Sequence, residues 1–287
     1  MISIPVAVYT DLFQWQLDLF WHSHKKTYHI DAYKKAHAII IERNSNNDTP
    51  CKSLDWKTDI PFTLCQSYFD MFNQNYDNDL RPINIQVGLL QILNKFHDDQ
   101  TLELLDCDLI HLRKHPNINI QHNQMYTCDL YENWHMFSKT SQKGLIEKYF
   151  KNNGQYYNGG FVPIIATTKT FKLIIEDWIK IHKNFFFTHN TPEMQNYRWC
   201  AGMYSLQAAC ERNHVQMISQ NLCYIPGINQ LQENYYITHY SVDQIFNKKT
   251  YPNNINWNSF PNNDFYNLVK DWKNKSIANS TIRKIFI

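Results

Sequence analysis

The stretch Thr101–Pro116, TLELLDCDLIHLRKHP, constrains the fold of this chain more than any other. Leu104 and Leu105 stand together without polar alternation, the pattern of a strand covered on both faces in a parallel sheet. The run ends abruptly in two acids at i and i+2, Asp106 and Asp108. A buried carboxylate costs several kcal/mol unless it is paired or binds a metal. Two acids at the end of such a strand therefore point to a hard cation at the carboxyl edge of the sheet, where open α/β sheets keep their ligands. Mg²⁺ or Mn²⁺ takes one or two protein carboxylates and completes its shell with phosphate oxygens and water. The same pattern also fits a solvated loop after a strand, with both acids facing solvent.

The 287 residues are 43% hydrophobic, enough to bury a core as one large domain or one and a half. Lys and Arg number 28 against 26 Asp and Glu, a net charge of +2, so no basic field for nucleic acid is expected. The seven cysteines, at 51, 65, 107, 128, 200, 210 and 223, form no CxxC pair and are odd in number, which suits reduced thiols in a cytosol-like compartment. The opening MISIPVAVYT turns polar too soon for a secretory signal. No apolar run approaches the roughly 20 residues that span a bilayer. A soluble, cytoplasmic protein is the expectation. Aromatics reach 15%, which suits stacking on sugars or bases and equally suits ordinary core packing.

Taken in order, Ile2 to Tyr9 reads as a strand, and Asp11 caps a helix to about Ser23 with Leu12, Trp15, Leu19 and Phe20 on one face. Ala36 to Glu42 is a second buried strand, and strand, helix, strand at this spacing makes a right-handed parallel unit. Ile60 to Phe72 is apolar and of either type. Pro82 opens a helix to about Phe96, with Ile85, Leu89, Ile92 and Leu93 on one face. Gln121 to Ser138 has no clear period. The Gly154–Ala166 stretch runs from a glycine pair into an apolar strand, followed by helices over Thr168–Asn184 and Pro192–Asn213. Asn221 to Pro226 is a short strand or loop, Tyr235 to Tyr240 a last strand, and an amphipathic helix with Phe265, Leu268 and Trp272 closes the chain.

Three further features bear on chemistry. Asn158-Gly159-Gly160 sits where a loop turns into a buried strand, and glycine serves positive φ or close approach of a ligand, or simply a bulge. His239 lies in the last strand, either as a half-buried histidine with an ordinary hydrogen bond or as a third ligand beside Asp106 and Asp108. His22, His24 and His29 read as surface residues on or after a helix. No GxGxxG, GxxxxGK[ST] or GxSxG is present, so dinucleotide, P-loop and α/β-hydrolase readings lose support.

The joint order of parts resembles the GT-A class of nucleotide-sugar glycosyltransferases. Within it, the chain looks most like the family of plant hydroxyproline O-arabinosyltransferases and peptidyl-serine galactosyltransferases, with their viral relatives. Asp106-Cys107-Asp108 with Ile110 and Pro116 resembles the family's Asp-x-Asp segment, and Pro82 to Phe96 its preceding helix. Phe161-Val162-Pro163 fits its strand before a helix with Trp178; Trp199, Met203 and Tyr204 fit a Trp-x-x-x-Met-Tyr helix; Ile237 to Tyr240 resembles an Ile-Ile-His-Tyr strand. The similarity covers most of Pro82 to Tyr240, and earlier only the strand-helix-strand order agrees. The family tends to carry Glu just before Met-Tyr, where this chain has Gly202.

The resemblance implies a GT-A-like, Rossmann-type mixed α/β sheet flanked by helices, in a single domain over residues 1–287. Residues 1–108 would form the nucleotide-binding half, and 109–287 the acceptor half with the C-terminal helix. The implied activity moves a sugar from a nucleoside diphosphate, UDP above others, to a hydroxyl of a glycan or protein with Mn²⁺ or Mg²⁺ bound. Asp108 and His239 would hold the ion, with Asp106 binding it through water or holding the ribose. Thr10, Asn84 and Gln86 would hold the nucleoside, with Cys107 beside them in the donor site. Asn158, Gly159 and Gly160 would admit the sugar to backbone. Lys248 or Lys249 would add charge to the diphosphate, and Glu193, at the start of the Met-Tyr helix, is the candidate base. The competing classes are a non-catalytic carbohydrate- or nucleotide-binding module of the same fold, and a nucleotidyltransferase. The latter usually opens with a glycine-rich basic loop that Ala7 to Leu17 lacks.

Overall fold

Apolar runs too short to make helices, and with no polar face to show to water, pair side by side in the computed structural model. It describes residues 1–9, 11–42, 58–75, 80–128, 160–188, 201–220, 222–224, 235–239 and 263–285. Strand β1 (Ile2–Val8) leads into helix α1 (Asp11–Tyr28), a 3-10 turn (His29–Lys34) and strand β2 (Ala38–Ile41). All four β2 residues are fully buried, as a strand covered on both faces requires. Strand β3 (Phe62–Cys65) and the one-turn helix α2 (Tyr68–Met71) occupy the apolar stretch whose type the sequence left open. Helix α3 (Asn84–Ile92), flanked by 3-10 turns, precedes β4 (Thr101–Asp106).

Beyond β4 come β5 (Leu109–His111), β6 (Gln124–Cys128), β7 (Phe161–Thr167), helices α4 (Thr168–Thr188) and α5 (Ala201–Arg212), β8 (Gln216–Gln220), β9 (Cys223–Tyr224), β10 (Ile237–His239) and helix α6 (Asn263–Ile285). A mixed sheet of seven strands runs β3-β2-β1-β4-β7-β6-β8, and a smaller one runs β5-β10-β9. The first four strands are parallel, and β7 lies antiparallel to both β4 and β6. This is the helix-flanked mixed α/β sheet expected from the sequence.

Helix α3 approaches β2 closely at Gly88, where a Cβ would stand 2.6 Å from Ile39 Cγ2 and 2.8 Å from Ile41 Cδ1. On α4, Phe171, Ile174, Ile175 and Trp178 are buried together. One continuous apolar core reaches from Ile4 to Ile237 across the large sheet. A satellite core joins Leu19 of α1 and Ile110 of β5 to Phe265, Val269 and Trp272 of α6.

Helix α1 outruns its expected end at Ser23 and reaches Tyr28. The physical reason is a buried ridge of Leu17, Phe20, Trp21, His24 and Tyr28 at helical spacing. His24, expected at the surface, is therefore fully buried, with its ring against Phe20, Trp21 and Tyr28 at 5.8, 5.6 and 4.5 Å. His22 is partly buried and pairs with Asp271 at 3.3 Å, while His29 is exposed. Strands β5, β6 and β8 have no clear signature in the sequence; β8, at the sheet's edge, shows residues on both faces to solvent.

Candidate metal centre

The central strand carries its own polar residue through the core. Glu103 of β4 is fully buried, accepting from Ser3 Oγ at 2.6 Å and from the Tyr236 hydroxyl. Burial raises its carboxyl above the ordinary value, against the lowering effect of those two hydrogen bonds. Satisfying this one acid leaves Leu102, Leu104 and Leu105 free to pack, and the strand runs on to Asp106 at its last position.

Asp106 stands level with Val6 of β1, toward the edge where the parallel strands end. The chain turns at Cys107-Asp108 and enters β5, whose Leu109 is the register partner of His239 in antiparallel β10. The small sheet thus folds His239 back over the acids from 131 residues away. His239 Nε2 lies 2.9 Å from Asp108 Oδ1 and 3.9 Å from Asp106 Oδ2, and one donor atom from each residue falls within 4.8 Å of the others. Adjacent ligands on an ion with bonds of about 2.1 Å sit about 3 Å apart, so His239 and Asp108 already stand at ligand spacing, whereas Asp106 would have to draw closer to bind the same ion directly. Asp108 is 8% exposed and His239 5%, while the Asp106 side chain is 34% exposed. Asp108 is thus not the solvent-facing acid of the solvated-loop alternative: the turn folds it under β10.

Cys223, fully buried, is held as a neutral thiol. Burial first, then Cys128 and the aspartates Asp108 and Asp106, push it well above the usual thiol range. Cys107 is buried as well, with its Sγ 3.2 Å from Gln16 Oε1. The candidate donors are two carboxylates and one imidazole, a set for hard and borderline ions.

Because β7 runs antiparallel to β4, its start comes to the same edge. Gly160 there has φ of +104°, and a Cβ would meet Met203 O at 3.0 Å; its N–H donates to Thr127 Oγ1 at 3.1 Å, beside a register shift in β6. Asn84 and Gln86 are at the start of α3 and buried, with their side chains engaged in the protein. Asn84 Oδ1 accepts from the Tyr68 N–H at 2.7 Å, and Gln86 Oε1 lies 3.0 Å from His182 Nδ1. His182 is fully buried, and burial lowers it to about 3. A Cβ at Gly202 would stand 3.1 Å from Gln86 Nε2 and 3.4 Å from His182 Cε1. The Gln86–His182 pair therefore fills the space that a longer side chain at 202 would need. Sequence reasoning misses Thr127 and His182: Thr127 lies in the stretch without a period, and His182 on a helix legible only by its apolar face.

Thr10, Asn158, Gly159, Glu193, Lys248 and Lys249 lie outside the described residues, as do Trp199 and Tyr240. Among the described residues no helix is long and apolar enough to cross a membrane.

No protein-family model matches this chain. No curated protein matches it in sequence. Solved structures similar in shape include two of a galactosyltransferase. A galactosyltransferase LgtC, in complex with donor and acceptor sugar analogues, is 11% identical with a TM-score of 0.47, covering 85% of this chain and 88% of its own. An active-site mutant of LgtC is 12% identical with a TM-score of 0.48, covering 84% and 88%. Likenesses at this level carry no functional argument, and the function of this chain has to be read from its own residues.

Proposed function

We infer that this chain is a metal-dependent glycosyltransferase of GT-A architecture. It would transfer a sugar from a nucleoside diphosphate, UDP above others, to a hydroxyl on a glycan or protein. The observation that carries this reading is the convergence of Asp106, Asp108 and His239 at the carboxyl edge of a central parallel strand. Departure of a nucleoside diphosphate develops negative charge on its phosphates, and a bound divalent ion stabilises that charge as a Lewis acid. Two carboxylates and an imidazole favour Mn²⁺, with Mg²⁺ next. Asp108 and His239 would be direct ligands; the more exposed Asp106 would bind through water or hold the ribose. Residues 1–108 would hold the nucleotide, and 109–287 the acceptor.

The remaining roles are assigned by position. Asn84 and Gln86 would reach the nucleoside alongside Thr10, after exchanging a present partner. Asn158 to Gly160 would bring backbone to the sugar, Lys248 would face the diphosphate, and Glu193 would be the base of an inverting transfer. One observation favours a non-catalytic module of the same fold: position 202 holds glycine, and Gln86 and His182 occupy its surroundings.

The test measures the melting temperature with UDP and Mn²⁺, with UDP and chelator, and with Asp108→Asn, beside release of UDP from UDP-sugars. Ligand bound to the native state stabilises it by mass action. UDP should raise the melting temperature with Mn²⁺ and not with chelator, and Asp108→Asn should abolish that rise while staying folded. Equal shifts with and without metal overturn the metal reading. A metal-dependent shift with no turnover of any UDP- or GDP-sugar assigns the chain to the binding module.

A further inference from the structure

The opposite end of the sheet carries a surface that the acidic site does not use. The Ser3 N–H donates to Lys35 O at 2.8 Å and the His37 N–H to Ser3 O at 3.0 Å. These bonds set the turn between α1 and β2 at the starting edge of β1, whereas Asp106 is level with Val6 toward the other edge. That turn is the 3-10 helix His29–Lys34, in which residues at i and i+3 eclipse. Ile30 and Tyr33 therefore share one face. They are 91% and 51% exposed, and Ile30 is the most exposed large apolar side chain among the described residues. The Tyr33 ring is fixed edge-on against the buried Trp21, with centroids 5.1 Å apart.

Basic residues flank this apolar tip in the chain. Residues 25–35 hold four lysines against one acid, Asp31, in a chain whose charges otherwise nearly balance. Lys25 and Lys26 are drawn toward Asp59 and Asp271, at 3.6 and 2.9 Å. Lys34 is exposed, and Lys35 Nζ stands 5.3 Å over the Tyr28 ring. The Tyr28 hydroxyl accepts from the His115 N–H at 3.0 Å, which brings the exposed Arg113 and Lys114 to the same end.

We propose that this end of the molecule docks on an anionic lipid bilayer, with Ile30 and Tyr33 entering the headgroup layer and the lysines facing lipid phosphates. A protruding aliphatic tip flanked by the exposed Lys34 and by Lys35 suits partition into an anionic interface. Two side chains offer far less than the roughly 800 Å² per partner of a stable protein interface. Nucleic acid would call for several aromatics with faces free to stack; here the one tip aromatic, Tyr33, is held edge-on against Trp21, and the outermost side chain is an isoleucine. Docking here leaves the acidic edge open, so the proposal stands independently of the reading of that site.

The experiment is co-sedimentation of the full chain with vesicles of phosphatidylcholine alone and of phosphatidylcholine with phosphatidylserine. Binding is expected to the mixed vesicles alone and to fall with salt. Each cation near an anionic surface is worth roughly fivefold in partitioning, so Lys34→Ala with Lys35→Ala should lose about 25-fold. Ile30→Ser, at a side chain almost wholly in solvent, should lose about tenfold with an unchanged melting temperature. The proposal is overturned if the mixed vesicles fail to sediment the protein. It is equally overturned if these variants bind as the parent does, or if heparin or RNA retains the chain while vesicles do not.

Discussion

Acidification below about pH 6.5 should destabilise this protein, because buried histidines are held neutral. His24 and His182 are both fully buried, and burial lowers them to about 4 and about 3. His111, also fully buried among Phe20, His24 and Tyr28, is lowered well below its ordinary value, by burial first and then by His24 and His115. In the unfolded chain each takes its proton near pH 6.5. The folded pKa is depressed, so the unfolded state binds more protons below pH 6.5, and stability falls with pH through that window. Each such group contributes about 1.4 kcal/mol per pH unit, so descent to pH 4 removes on the order of 3 kcal/mol for His24 and as much for His182. Glu103 works in the opposite sense: its raised carboxyl adds stability at low pH that fades as pH rises above the unfolded carboxylate value. One such group offsets part of what three histidines lose. Against a total stability of about 5–15 kcal/mol, the net loss is large. Urea unfolding followed by fluorescence from pH 7 to 4 should show the midpoint falling steadily. His24→Phe, an apolar ring for the same aromatic pocket, should flatten the slope by about 1.4 kcal/mol per pH unit. A stability curve level between pH 6.5 and 4.5, or one unchanged by His24→Phe, would refute the reasoning.

Two substitutions test the packing that positions the site. Gly88→Ala should cost about 1–3 kcal/mol in chemical denaturation, since its Cβ would stand 2.6 Å from Ile39 and the strand behind it cannot yield. Tyr236→Phe takes from buried Glu103 the hydroxyl that donates to it opposite Ser3, and should cost about 1–3 kcal/mol; a variant as stable as the parent would show that this hydroxyl is dispensable.

Periodicity and burial logic reach far into this fold. The apolar run at Ala38–Ile41 and the pair Leu104–Leu105 fit between two covering layers, so the parallel unit and the central strand are legible from local pattern. The change from Leu105 to the two acids Asp106 and Asp108 likewise marks the sheet edge, because a carboxylate inside the run is costly unless it is partnered, as Glu103 is by Ser3 and Tyr236. Features fixed by partners distant in sequence are not legible. His24 reads as surface because its neighbours Lys25 and Lys26 are polar; the aromatic pocket that encloses it draws on His111, which no local pattern places beside it. Strand β5 is three residues long and exists because β10 pairs with it, and the same pairing buries Asp108 under His239. The crowding at Gly202 comes from side chains on two other helices. Local pattern thus dictates which residues must leave water and where the apolar strand must stop. Which polar groups meet at that edge is settled only in three dimensions, because it depends on the return of a strand 131 residues away and not on any local preference.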